Sequence, residues 1–120
     1  MMNVRRSIRR LARQATESEK AIEAYLVRKA EEAGGLCLKF SSHTQVGYPD
    51  RLLLMPGGRM AWVELKSKGE RPRRIQEVRM ASLRRLGFAA YVADSREMVD
   101  DIVRAMAMPR STEQEDGNGL

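Results

Sequence analysis

Residues 47–66 read Gly47-Tyr48-Pro49-Asp50-Arg51-Leu52-Leu53-Leu54-Met55-Pro56-Gly57-Gly58-Arg59-Met60-Ala61-Trp62-Val63-Glu64-Leu65-Lys66. Two apolar runs, Arg51–Met55 and Met60–Ser67, flank Pro56-Gly57-Gly58, and this predicts an antiparallel strand pair closed by a tight turn. Side chains alternate between the faces of a strand, so Glu64 and Lys66 share one face, roughly 7 Å apart along the chain, while Ala61, Val63 and Leu65 point into a core. Asp50, at the start of the first strand, then approaches Glu64 on the second. Two hard oxygen donors beside a cation are what holding Mg²⁺ against a phosphodiester requires. Taken alone, Asp after Pro is also a common turn, and Glu-x-Lys also a solvated strand face.

Outward from this hairpin, the chain reads helix, strand, loop, strand, turn, strand, helix, strand, helix. The first helix runs from Thr16 or Ser18 to Ala33 and stops at Gly34-Gly35. Leu36 to Ser41 is an apolar strand, and Ser42 to Tyr48 a polar loop. A second helix starts at Pro72 or Arg73 and ends at Leu86, with Gly87 as its stop and Ile75, Val78 and Leu86 as its apolar stripe. Ala89 to Ala93 is a short buried strand, and Ser95 caps a last helix to about Met106. This order predicts an α/β fold, a mixed sheet flanked by helices, in which the Glu64 strand and the Ala89 strand form a parallel unit around the second helix.

At 120 residues the chain has the size of one domain. A net charge of +6 and a pI near 10.0 favour a polyanionic partner, because Lys and Arg release counterions from a phosphate backbone. One Cys and one His exclude a classical zinc site, and Cys37 reads as a small buried hydrophobe. No apolar run approaches membrane-spanning length, so the expectation is a soluble, cytoplasmic protein without membrane contact. Residues 1–16, with Arg5, Arg6, Arg9, Arg10 and Arg13 among Val4, Ile8 and Leu11, read either as a basic helical arm or as an unstructured leader. Residues 109–120 read as a disordered tail, leaving 17–108 as the folded domain.

The ordered set Ser18-Glu19, Gly47-x-Pro49-Asp50, Glu64-x-Lys66, Gln76 and Gly87 resembles a small stand-alone VRR-NUC domain, a branch of the PD-(D/E)xK nuclease superfamily, over residues 18 to 106. The segment Lys68-Gly69-Glu70-Arg71-Pro72-Arg73-Arg74 is more basic than is usual there. The resemblance implies a restriction-endonuclease-like core and a Mg²⁺-dependent endodeoxyribonuclease, with Mn²⁺ able to substitute. Its implied metal ligands are Asp50, Glu64, the Leu65 carbonyl and Glu19. Glu19 reads otherwise as part of a Thr16-x-x-Glu19 capping box, although it lies in line with Ile22, Leu26, Ala30 and Ala33. Glu23 is the alternative acid on that helix. Lys66 is assigned to orienting the attacking water and stabilising the charged transition state rather than to acting as base. By position Gln76 is a solvated helix residue; the resemblance makes it a catalytic contact to Lys66 or the phosphate.

Lys39, Lys68, Arg71, Arg73 and Arg74 are expected to meet DNA phosphates. His43 reads as an exposed loop residue, Arg84 and Arg85 as a solvated face. Trp62 and Tyr48 read as packing residues or as platforms for an unpaired base. No groove-reading motif is present, so recognition of DNA shape is expected. Small stand-alone relatives imply a homodimer acting on branched DNA such as four-way (Holliday) junctions, in a bacterial or phage-infected cell. The alternatives are a non-catalytic DNA-binding or recombination accessory protein, and a sequence-specific restriction-type enzyme.

Overall fold

The turn at Gly57-Gly58 needs two consecutive residues in the left-handed region (φ 84° and 75°), which glycine adopts without steric cost. It joins β2 (Arg51–Met55) to β3 (Arg59–Leu65), which pair antiparallel from Met55↔Arg59 to Arg51↔Val63. The computed structural model describes residues 18–107; the arm 1–16 and the tail 109–120 lie outside them. Helix α1 (Glu19–Glu32) precedes β1 (Leu36–Lys39), and α2 (Arg74–Arg85), β4 (Ala89–Ala93) and α3 (Arg96–Ala107) complete the order. The sheet runs β1-β2-β3-β4, antiparallel except for the parallel pair β3–β4. This is the expected mixed sheet, with the parallel crossover made by α2. Among the described residues no helix is long and apolar enough to cross a membrane.

Strand alternation divides the core in two. Leu53, Met55, Ala61, Val63, Leu65 and Ala93 face Ile22, Leu26 and Ala30 of α1 and Val99, Ile102, Val103 and Met106 of α3. On the opposite face Met80 and Leu83 of α2 pack on Ala90, Trp62, Val92 and Tyr48. Leu26 is fully buried, so Leu26→Ala is expected to cost about 2–5 kcal/mol, read as a lower urea midpoint.

Local caps set the helix ends. Ser18 accepts from the Ala21 N–H at 3.2 Å and caps α1, so Glu19 is the first helical residue rather than the third of a box begun at Thr16. Ser95 accepts from the Met98 N–H at 3.1 Å and caps α3 as expected. The buried stripe of α2 differs from the expected one: Gln76, Met80 and Leu83 are inside, while Val78 and Leu86 are exposed. The helix turns this side inward because the groove over Trp62 and Ala90 ends at the Glu64 carboxylate, which Gln76 can satisfy and Ile75 cannot. Cys37 is buried and unpaired, as expected.

Candidate active site

Asp50 follows Pro49, which is fully buried, and its own carbonyl accepts from the Phe40 N–H at 2.8 Å. The residue is thus fixed between the ends of β1 and β2. From there its Oδ1 accepts from the Leu65 N–H at 3.3 Å. Asp50 is therefore anchored next to Glu64, as the hairpin register predicts.

Glu64 is 4% exposed, on the α2 face of β3. Its Oε1 accepts from Gln76 Nε2 at 2.8 Å and lies 3.6 Å from the Lys66 ammonium. Its Oε2 is buried and has no hydrogen-bond partner. Gln76 is held in turn: its Oε1 accepts from the Arg73 N–H at 2.8 Å, an orphan donor at the start of α2. One side chain therefore closes a helix end and pins one oxygen of a buried carboxylate. Gln76 is thus not solvated, as helical position alone suggested. Lys66 lies just past β3, where its N–H donates to the Ala93 carbonyl at 3.0 Å, so the β3–β4 ladder extends to the base of the lysine.

Burial pushes the Glu64 carboxyl up to about 7, the Asp50 charge adds to the rise, and Lys66 opposes it. Asp50 is also raised, by burial first, against the stabilising Leu65 N–H. Two acids that each resist ionisation, one with an orphaned oxygen, form a site that a cation would relieve. The donors are hard oxygens, as Mg²⁺ prefers. Asp50 and Glu64, with the Leu65 carbonyl, thus fit the metal that the sequence implies.

Glu19 does not join them. Among the described residues no three His, Cys, Asp or Glu side chains converge to hold a metal ion. Helix α1 packs on the opposite face of the sheet from Glu64, and Glu19, exposed in its first turn, reaches Glu64 only as a weak like charge. Glu23, the alternative acid, is bound to Arg51 Nη2 at 2.9 Å. That ion pair, behind the Asp50 strand, had no sequence signal beyond the two charges.

Lys39, Lys68, Arg71, Arg73 and Arg74 are all exposed, the last four on the segment that links Lys66 to α2. This segment is tied down by the Gly69 N–H donating to Asp94 Oδ2 at 3.2 Å. His43 is exposed, in keeping with an ordinary loop residue. Phe40, Tyr48 and Trp62 pack on one another, with Phe40 edge-on to Trp62 at 4.9 Å.

Arg79 was not singled out in the sequence. Its Nε donates to the Val46 carbonyl at 2.8 Å and its guanidinium lies 5.0 Å from the centre of the Tyr48 ring. These contacts pin the loop before Asp50 onto α2. The same docking explains Gly47, which has φ 94° and where an added Cβ would stand 2.7 Å from Ile75 Cγ1. Gly47→Ala is expected to cost at least about 1–2 kcal/mol and to slow catalysis by displacing Asp50, measured by thermal melting beside a turnover assay.

A mixed sheet with helices on both faces, carrying a buried Asp–Glu pair and a lysine at the ends of its central strands, defines a restriction-endonuclease-like nuclease fold. Comparisons with known proteins bear this out. No family model matches the sequence. The chain is 39% identical over 80 residues to "Putative nuclease p44" of Acyrthosiphon pisum secondary endosymbiont phage 1, a match spanning 67% of this chain and 86% of that protein. A solved VRR_NUC domain superposes with a TM-score of 0.67 at 29% identity, over 72% of this chain and 94% of the other. The chain belongs to the VRR-NUC family of nucleases.

Proposed function

We propose that this nuclease is a divalent-metal-dependent endonuclease that hydrolyses phosphodiester bonds of branched DNA, four-way junctions among them, and works as a homodimer. The observation that carries the metal requirement is the state of Glu64: Oε1 is fixed by Gln76 and Lys66, while Oε2 is buried without a partner beside Asp50. Mg²⁺ or Mn²⁺ bound there would polarise the phosphate and lower the pKa of a coordinated water.

The protein's own groups do the rest. Gln76 and the Lys66 ammonium orient the Glu64 carboxylate so that Oε2 faces the ion. The Leu65 N–H holds Oδ1 of Asp50, and so sets the direction of its second oxygen. Lys66, close to Glu64 and little exposed, offers a positive charge to the phosphate oxygens on which negative charge grows. Lys68, Arg71, Arg73 and Arg74 on the adjoining segment bind flanking phosphates, which positions DNA without reading its bases. This composition supports recognition of shape, and two sites across a two-fold axis would suit symmetric cuts at a junction.

Purified protein incubated with synthetic four-way junctions, flaps and linear duplexes in Mg²⁺, Mn²⁺ or EDTA tests this reading. Incision of branched substrates in metal alone is expected. Salt-sensitive binding that ignores EDTA, with every substrate left intact, would replace the enzyme with a non-catalytic DNA-binding protein.

A further inference from the structure

The sheet face that carries Glu64 is only half covered. Register aligns Leu36, Leu54 and Met60 in one row across β1, β2 and β3, and Leu38, Leu52 and Trp62 in the next. Helix α2 packs over Trp62 and Ala90, while α1 and α3 pack on the opposite face. The β1–β2 half therefore has no helix above it. Leu36 is 54% exposed, Leu38 44%, and Phe88, which adjoins Met60, 42%. Leu52, Leu54 and Met60 are half-buried beside them. β1 is also an edge strand, so its outer backbone groups have no neighbouring strand.

We propose that this open half-sheet, centred on Leu36, Leu38, Leu54 and Met60, is the surface through which two copies of the chain associate. The inference deepens the homodimer reading above and rests on it. Isolated apolar residues on a surface carry no message, but here six adjoin in two rows with no charged side chain among them. Their exposed area amounts to roughly 400 Å², within the range of patches that serve a function. A standard interface buries about 800 Å² per partner, about two thirds of it apolar in homodimers, so the patch supplies most of the apolar centre of one.

The chemistry selects the occupant. DNA needs cations, and these rows hold none. An apolar surface is complementary to itself, as a two-fold contact requires. The net charge of +6 opposes association only through groups outside the patch, and these are screened beyond about 8 Å at physiological salt. Glu64 stands four residues from Met60 along β3, about 13 Å towards the other strand end. Pairing centred at the Met60 end keeps Lys66 and the basic segment off the interface.

Sedimentation equilibrium of the full chain tests the assignment. Wild type is expected to sediment at twice its 13.6 kDa monomer mass. Leu36→Glu with Leu38→Glu should weaken association at least about 100-fold, because each change counts twice across a two-fold axis. Val78→Glu, at a comparably exposed apolar residue (42%) on the outer side of α2, should leave it unchanged. Thermal melts verify folding of each variant, and Leu36→Ser with Leu38→Ser serves if the double glutamate does not fold. A monomeric wild type at about 100 µM, or a folded double variant that stays dimeric, overturns the surface. Junction cleavage run in parallel separates the two readings: a monomer that cuts refutes this one alone, and a dimer that never cuts refutes the nuclease reading alone.

Discussion

Glu64→Gln and Asp50→Ala are each expected to slow DNA cleavage by at least about 1,000-fold, some 4 kcal/mol of transition-state stabilisation, while DNA affinity changes only a few-fold. Neither residue is among the exposed cations of the basic segment, so binding and cutting should separate. Glu64→Gln removes the charge of the orphaned Oε2 and keeps the shape of the side chain. It also removes a carboxylate that burial makes reluctant to ionise, so the variant should melt above wild type at neutral pH. Activity lost together with stability gained is an outcome that a purely structural Glu64 would not give. Lys66→Ala should cost about 100- to 1,000-fold in rate, the usual loss on removing one group that stabilises transition-state charge. Single-turnover cleavage, fluorescence anisotropy in Ca²⁺ and thermal melts read the three quantities.

Raising the pH of metal-free protein is expected to destabilise it. Glu64 holds its proton up to about 7 in the folded chain, against an ordinary 4.5. Below the ordinary value the group is protonated in both folded and unfolded states, and the stability it contributes is fully present. Between the two values the folded chain binds more protons than the unfolded one, so stability falls as pH rises, and the loss is complete above about 7. It is on the order of 3 kcal/mol, equivalent to a drop in Tm on the order of 10 °C. Asp50, also raised, acts in the same direction. Mn²⁺ should reverse the loss at about pH 8 and do little at about pH 5, where binding must first expel a proton. Scanning calorimetry at both values, with and without Mn²⁺, checks the sign. A Tm that climbs between them without metal would contradict it.

The hairpin was legible because its signals are local. Pro56-Gly57-Gly58 fixes the turn, and a period of two assigns Glu64 and Lys66 to one face and Val63 and Leu65 to the other. Asp50 followed from the same register. Glu19 was misplaced because helical periodicity shows which side of α1 meets the sheet, but not which face of the sheet it meets. Gln76 was missed as a buried residue for a related reason. Ile75, Val78 and Leu86 look like the inner stripe of α2, yet the buried Glu64 oxygen draws the Gln76 side inward. Arg79, Arg51 and Glu23 act through contacts distant in sequence, to Val46 and to each other, which no local pattern announces. The open half-sheet was equally hidden. Leu36 and Leu38 read as core residues of a strand, and their exposure appears only once α2 is seen to cover β4 rather than β1.

Anomalous diffraction from crystals soaked in Mn²⁺ tests most directly whether Asp50 and Glu64 share one cation. The expected result is a peak between them, about 2.0–2.2 Å from Oε2 of Glu64 and from a carboxylate oxygen of Asp50, that vanishes in Glu64→Gln. Saturating Mn²⁺ that leaves this position empty, or binds with equal occupancy in the variant, would contradict it.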